Sequence, residues 1–204
     1  MRKQNVFISA IHTDSGKTLA SAIICEAWGA DYWKPVQAGA PYDADTVKKL
    51  TSNDAITIHP STYLLETPES PHAAAQRQGL EINLNKFKIP VTSKPVVVEG
   101  AGGCLVPLNT NTLIIDIPIS LGLPVILVSN FYLGSINHTL LSLEACKSRN
   151  INVAGIIFNG KRNPESEKII LRYADVPCLL HIDEEKEINR ETVKKYADRF
   201  NAAG

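Results

Sequence analysis

The residues best suited to chemistry begin in the stretch Val6 to Thr18, Val-Phe-Ile-Ser-Ala-Ile-His-Thr-Asp-Ser-Gly-Lys-Thr, where an apolar run gives way to small and polar residues and then to Gly16-Lys17-Thr18. Leu19-Ala20-Ser21-Ala22-Ile23-Ile24 follows at once. Strand, loop and helix in that order make a phosphate-binding loop. Backbone N–H groups and the positive helix end surround the anion, the lysine reaches the outer phosphates, and the threonine hydroxyl takes a place on Mg²⁺. The usual spacing puts a glycine five residues before Gly16; Ile11 stands there, with Ala10 one further back. A solvated helix start is the competing reading of the triplet taken alone.

Other residues with chemical potential lie where apolar runs end. Glu99 closes Pro95-Val96-Val97-Val98-Glu99, a β-branched run of the kind buried on both faces of a parallel sheet. A carboxylate there, facing a phosphate loop, suits Mg²⁺, whose octahedron a threonine, an aspartate, a glutamate and phosphate oxygens would fill. Its alternative role is to accept N–H bonds from its own turn, Gly100-Ala101-Gly102-Gly103. Lys34, between Trp33 and Pro35, has a stiff backbone and an aimed ammonium that could neutralise a phosphate or carbamate oxygen; a solvated loop lysine is its other reading. The following loop leads to Asp43 and Asp45, and Asp45 reads equally as a metal ligand or as a first-turn helix acid. Asn159 ends another run, before Gly160-Lys161. His72 and His138 stand alone near helix starts, where capping or packing outweighs catalysis. No Ser/His/Asp order and no clustered metal-ligand spacing accompanies them.

The elements that must hold these residues alternate. Strands are predicted at Val6 to Ala10, Asp31 to Val36 (broken at Pro35), Pro95 to Glu99, Pro124 to Val128, Val153 to Phe158 and Val176 to Ile182. Helices are predicted at Lys17 to Ala27, Asp43 to Leu50, Ala73 to Gln78, Ile136 to Arg149, Glu165 to Tyr173 and Ile188 to Phe200. Ser70 is a candidate cap with Pro71 at the first helical position, residues 51–68 show no clean period, and Pro118 interrupts the helical rhythm of Leu113 to Leu121. Alternating apolar strands and helices without linkers or repeats imply a single α/β domain over 1–204, with one doubly wound, mostly parallel sheet flanked by helices. Such sheets place their active sites at the carboxyl ends of the strands, where Lys17, Lys34, Glu99 and Asn159 all fall.

The chain is 44% hydrophobic and 21% charged with a formal net charge of +0, which favours neither nucleic acid nor an anionic membrane as partner. Cys25, Cys104, Cys146 and Cys178 are isolated in apolar or small-residue contexts, so buried free thiols in a reducing compartment are expected. The N-terminal residues lead straight into a short strand rather than a signal-peptide core, and no apolar run approaches the ~20 residues that span a bilayer. A cytoplasmic protein is expected.

Taken together, the loops resemble dethiobiotin synthetase, an ATP-dependent enzyme family of biotin biosynthesis with a P-loop NTPase-like fold. The resemblance runs along nearly the whole chain, in order: Thr13 to Thr18, Lys34-Pro35-Val36-Gln37-Ala38-Gly39, Ser70-Pro71-His72, Glu99 to Gly103, Leu123 to Val128, Leu133-Gly134-Ser135-Ile136-Asn137-His138 and Ala154 to Asn159. It implies a ligase that captures CO₂ on 7,8-diaminononanoate as a carbamate. The carbamate attacks the γ-phosphate of ATP, and the second amine closes the cyclic urea and expels phosphate. By position, Lys17 would bridge the phosphates, Thr13 and Lys34 would contact carbamate and phosphate, and Thr18, Asp45 and Glu99 would hold Mg²⁺. Asp14, Ser15, Gly16 and Asn159 would complete the nucleotide site, with Asn159 at the adenine and Asp14 near the substrate amine. The family is homodimeric, and the helix start Gly134-Ser135-Ile136-Asn137 would hold the substrate carboxylate across the interface. This chain departs from the family pattern at Ala10 (a glycine), His12 (an aspartate) and Ala38 (often serine or threonine), and is short around residues 27–33 and at its end. Ala10 must then keep a negative φ or accept strain. Two other readings stay open: a P-loop ATPase switch that works through protein partners, against which stands the lack of a second lysine between Ala10 and Asp14, and a non-catalytic nucleotide-binding relative.

Overall fold

The computed structural model describes residues 2–203; residues 1 and 204 of the domain expected over 1–204 lie outside the described residues. The first strand, β1 (Val6–Ala10), is buried along its whole length. Its side chains alternate, as a strand's must: Val6, Ile8 and Ala10 enter one core cluster and Phe7 another. Helix α1 (Lys17–Trp28) follows, then β2 (Asp31–Trp33), β3 (Val36–Ala38) and α2 (Asp43–Leu50). After β4 (Ile58–His59), β5 (Tyr63–Leu65) and α3 (Pro71–Arg77) come β6 (Val96–Glu99), α4 (Asp116–Leu121) and β7 (Val125–Asn130). The chain closes with α5 (Ser135–Lys147), β8 (Val153–Asn159), α6 (Pro164–Ala174), β9 (Cys178–Ile182) and α7 (Arg190–Ala203).

Seven strands form one sheet in the order β4-β2-β6-β1-β7-β8-β9, with every pairing parallel. The order reverses direction at β1, flanked by β6 and β7. At such a switch point the two neighbouring crossovers leave in opposite directions and open a crevice at the carboxyl ends. Helices α1, α2 and α7 pack on one face of the sheet, and α3, α4, α5 and α6 on the other. The doubly wound sheet expected from the sequence is therefore the one observed.

Local differences have local causes. Pro35 separates β2 from β3, and β3 leaves the main sheet to pair in parallel with β5. Residues 51–68 hold β4 and β5, of two and three residues, too short to show a period. Pro118 sits inside the first turn of α4, where a missing N–H costs nothing, so the helix starts only at Asp116; just before it, the Leu113 N–H bonds the Asp116 carboxylate at 2.7 Å. Ser70 occupies the cap position of α3 with Pro71 first in the helix, but its hydroxyl makes no capping bond. Cys25, Cys104 and Cys146 are buried free thiols, whereas Cys178 is exposed at the start of the edge strand β9. Among the described residues no helix is long and apolar enough to cross a membrane.

Candidate active site

The loop after β1 turns on Gly16, the N-terminal cap of α1, at φ 100°. A Cβ there would lie 2.3 Å from the Asn159 amide nitrogen, which donates to the Ser15 carbonyl at 3.0 Å. Glycine is thus required for both conformation and space. Ala10 stays in the extended backbone of β1 and needs no glycine. The left-handed turn falls on Asp14 (φ 61°), a residue type that tolerates it. Ser15 is fully buried, and its hydroxyl donates to the His12 carbonyl at 3.0 Å, closing the loop from inside.

A cleft of about 690 Å³ opens over this loop, lined by Thr13, Asp14, Gly16, Lys17, Thr18, Lys34, Ala38, Asp43 and Glu99, with Ser70 and Pro71 opposite. Parallel strands and period-2 alternation account for the convergence. Glu99 follows Val97 by two residues, so both face α1, and Thr18 and Ser21 lie three residues apart on the helix face that meets them. Thr18 Oγ1 is 2.6 Å from Asp43 Oδ1 and 3.1 Å from Glu99 Oε1. The Lys34 ammonium bridges the same two carboxylates, 2.6 Å from Asp43 Oδ2 and 3.1 Å from Glu99 Oε1. On its far side Glu99 Oε2 accepts from Ser21 Oγ at 2.8 Å and from the Tyr32 phenol at 3.0 Å. All four donors to Glu99 are side chains, so its carboxylate is not held by the N–H groups of its own glycine turn.

Burial sets the charges in the cleft. It lowers the Lys17 ammonium below its ordinary value, against the opposing pull of Glu99. For Lys34 burial works the same way, but Glu99 and Asp43 in contact with it prevail and hold the ammonium above its ordinary value. Asp43 is lowered despite burial, because Lys34 and Thr18 stabilise its charge. Burial, and then the neighbouring Glu99 charge, push the Tyr32 phenol well above its ordinary 10.0, so it remains a hydrogen-bond donor.

The aspartate beside Thr18 is Asp43, which corrects the expectation of Asp45. Asp43 is the first residue of α2, and its N–H is held by the buried Gln37 side chain at 3.1 Å. Asp45, two residues on, lies about 200° round the helix and is exposed. Sequence reasoning also passed over Ser21, Tyr32 and Gln37. Ser21 looked like one more small residue of an apolar helix, and Tyr32 like one more apolar strand residue.

The helix start Gly134 to Asn137 lies apart from the cleft, at the end of β7. Gly134 has φ 105°, Ser135 is buried, and Asn137 is exposed beside a groove between α5 and α6. Ile136 packs against the α5–α6 core. His12 links toward this region, with Nε2 3.0 Å from Asn130 Oδ1 and its ring 5.1 Å from that of Tyr132. His138 pairs through Nδ1 with the Tyr132 hydroxyl, and His72 is exposed on α3.

Thr18, Asp43 and Glu99 offer oxygen donors only, the set a hard divalent cation takes. Lys34 already places a positive charge between the two carboxylates. The oxygen donors of Thr18, Asp43 and Glu99 fit the Mg²⁺ of a nucleotide complex.

A parallel sheet whose first strand feeds a Gly-Lys-Thr helix start, with a carboxylate at the adjacent strand end, defines a P-loop nucleotide-dependent protein. Residues 4–192 match a family model described as an AAA domain. An ATP-dependent dethiobiotin synthetase BioD from Cytophaga hutchinsonii is 51% identical over 193 residues, 94% of each chain. One from Christiangramia forsetii is 48% identical, covering 97% of this chain and 96% of its own. The chain belongs to the ATP-dependent dethiobiotin synthetase family, the family its motifs resemble. Among solved structures, a ParA family ATPase from Chlorobium tepidum TLS is similar in fold, with a TM-score of 0.59 at 12% identity over 95% of this chain and 98% of that one.

Proposed function

We propose that the protein makes dethiobiotin from 7,8-diaminononanoate, CO₂ and ATP, through a carbamate and a carbamic-phosphoric anhydride, with release of ADP and phosphate. The observation that supports this most is the convergence of two lysines, a hydroxyl and two carboxylates on one cleft over the phosphate loop. The chemistry needs no protein nucleophile, since the substrate amine itself carries CO₂. It needs charge neutralisation and positioning.

In this reading Lys17 spans the phosphates and neutralises the group in transfer. Lys34 and Thr13 hold the carbamate and its phosphorylated form. Asp14, Ser15 and Gly16 shape the loop around the nucleotide, with Asp14 near the substrate amine and Asn159 at the adenine. Thr18, Glu99 and Asp43, rather than Asp45, hold Mg²⁺, which supplies charge at the phosphate oxygens when bound. Ring closure follows when the free amine attacks the activated carbonyl and phosphate leaves. The helix start at Gly134, Ser135, Ile136 and Asn137 suits the substrate carboxylate, and we assign it to the opposite subunit of a cytoplasmic homodimer.

Incubation with diaminononanoate, bicarbonate and Mg-ATP should yield dethiobiotin by mass spectrometry, with phosphate release dependent on both diamine and bicarbonate. Phosphate release at an equal rate without the diamine would overturn the reading and favour an ATPase switch.

A further inference from the structure

Glu99 is held from behind. Its strand pairs with β2 so that Tyr32 lies beside Val97, and both of these enter the core cluster beneath α1. Glu99, two residues beyond Val97, comes within reach of both the Tyr32 phenol and the Ser21 hydroxyl. A carboxylate oxygen has two lone-pair sites. Ser21 at 2.8 Å and Tyr32 at 3.0 Å take both on Oε2 from the core side, while Oε1 accepts from the cleft-lining Thr18 and Lys34, so a cation entering from the cleft reaches Oε1 by taking the place of one of those two donors.

We propose that Tyr32, together with Ser21, is the positioning residue for Glu99: the two hydroxyls occupy Oε2, so the carboxylate meets the cation of the nucleotide complex through Oε1 alone. The inference rests on Glu99 as a ligand of that cation. A one-oxygen ligand suits Mg²⁺, which demands near-octahedral geometry, whereas Ca²⁺ accepts two oxygens of one carboxylate. Tyr32 thereby favours the smaller cation without touching it. Neither position was singled out by the loop motifs, because neither lies in a loop.

The test is calorimetry of ADP binding in Mg²⁺, in Ca²⁺ and in a chelator, on the wild type, Y32F, S21A and E99Q. Y32F keeps the ring and its packing while removing the donor. The expected result is a loss of about tenfold in the Mg²⁺-dependent part of ADP affinity for Y32F and S21A, with chelator affinity unchanged and the loss in Ca²⁺ smaller. A role confined to packing would lower the melting temperature and leave the Mg²⁺-to-Ca²⁺ ratio where it was, which overturns the proposal. If E99Q loses the Mg²⁺ dependence while Y32F and S21A keep it, the positioning role fails and the ligand assignment stands. If E99Q also keeps it, the ligand assignment fails and the proposal falls with it.

Discussion

Two buried carboxylates stand at opposite ends of neighbouring strands: Asp31 at the start of β2, 2% exposed, and Glu99 at the end of β6, 1% exposed. Both are surrounded by donors, yet of different kinds. Asp31 accepts the Thr57 N–H and the Thr92 hydroxyl, each at 2.8 Å, with Lys94 and His59 at 3.4 Å. A backbone donor cannot leave without local unfolding, so this cluster ties the edge strand β4 and the segment before β6 to β2. Glu99 accepts only from side chains, two of them facing an open cleft. The same burial thus anchors segments at one end of the sheet and, in the proposed reaction, holds a carboxylate toward the cleft at the other, and the donor type tells them apart.

Substitutions should separate the two ends. The largest effect is expected from Lys17→Ala and Glu99→Gln, each lowering dethiobiotin formation about 10²–10³-fold; unchanged turnover in either would break the contrast. Asp43→Asn should lower turnover about tenfold or more, while Asp45→Asn should stay within about twofold, because only Asp43 meets Thr18 and Lys34. Asp31→Ala should do the reverse, losing about 2 kcal/mol of stability by leaving the Thr57 N–H unpaired, with turnover nearly intact. The smallest effect is in pH. Burial opposes the Asp31 charge, but Thr57, Thr92 and Lys94 prevail and lower its pKa below the ordinary 3.8. A lowered carboxylate contributes stability above its unfolded value and loses it as pH falls through the folded one. Acid unfolding of Asp31→Asn should therefore show a shallower pH dependence below about pH 4 than the wild type.

The sheet was legible where strands are continuous apolar runs buried on both faces, as with Val96 to Val98 and Val125 to Val128. The phosphate loop was legible because its residues are contiguous. What escaped depends on phase and register. The start of α2 at Asp43 was legible, but choosing between Asp43 and Asp45 required knowing which side of its first turn meets Thr18 and Lys34, residues of distant segments. Tyr32 and Ser21 gain meaning only once β2 is laid beside β6 and α1 across them, a relation between segments far apart in sequence. The concern that Ala10 would be strained dissolved for the same reason: the bend falls at Asp14 and Gly16.

The ammonium of Lys34, clamped between Asp43 and Glu99, has a consequence for handling the protein. The two acids carry their own counter-charge, so their mutual repulsion is answered from within the fold. Stripping divalent ions with a chelator should leave the melting temperature nearly unchanged and be fully reversible, and purification should need no added metal to keep the chain folded.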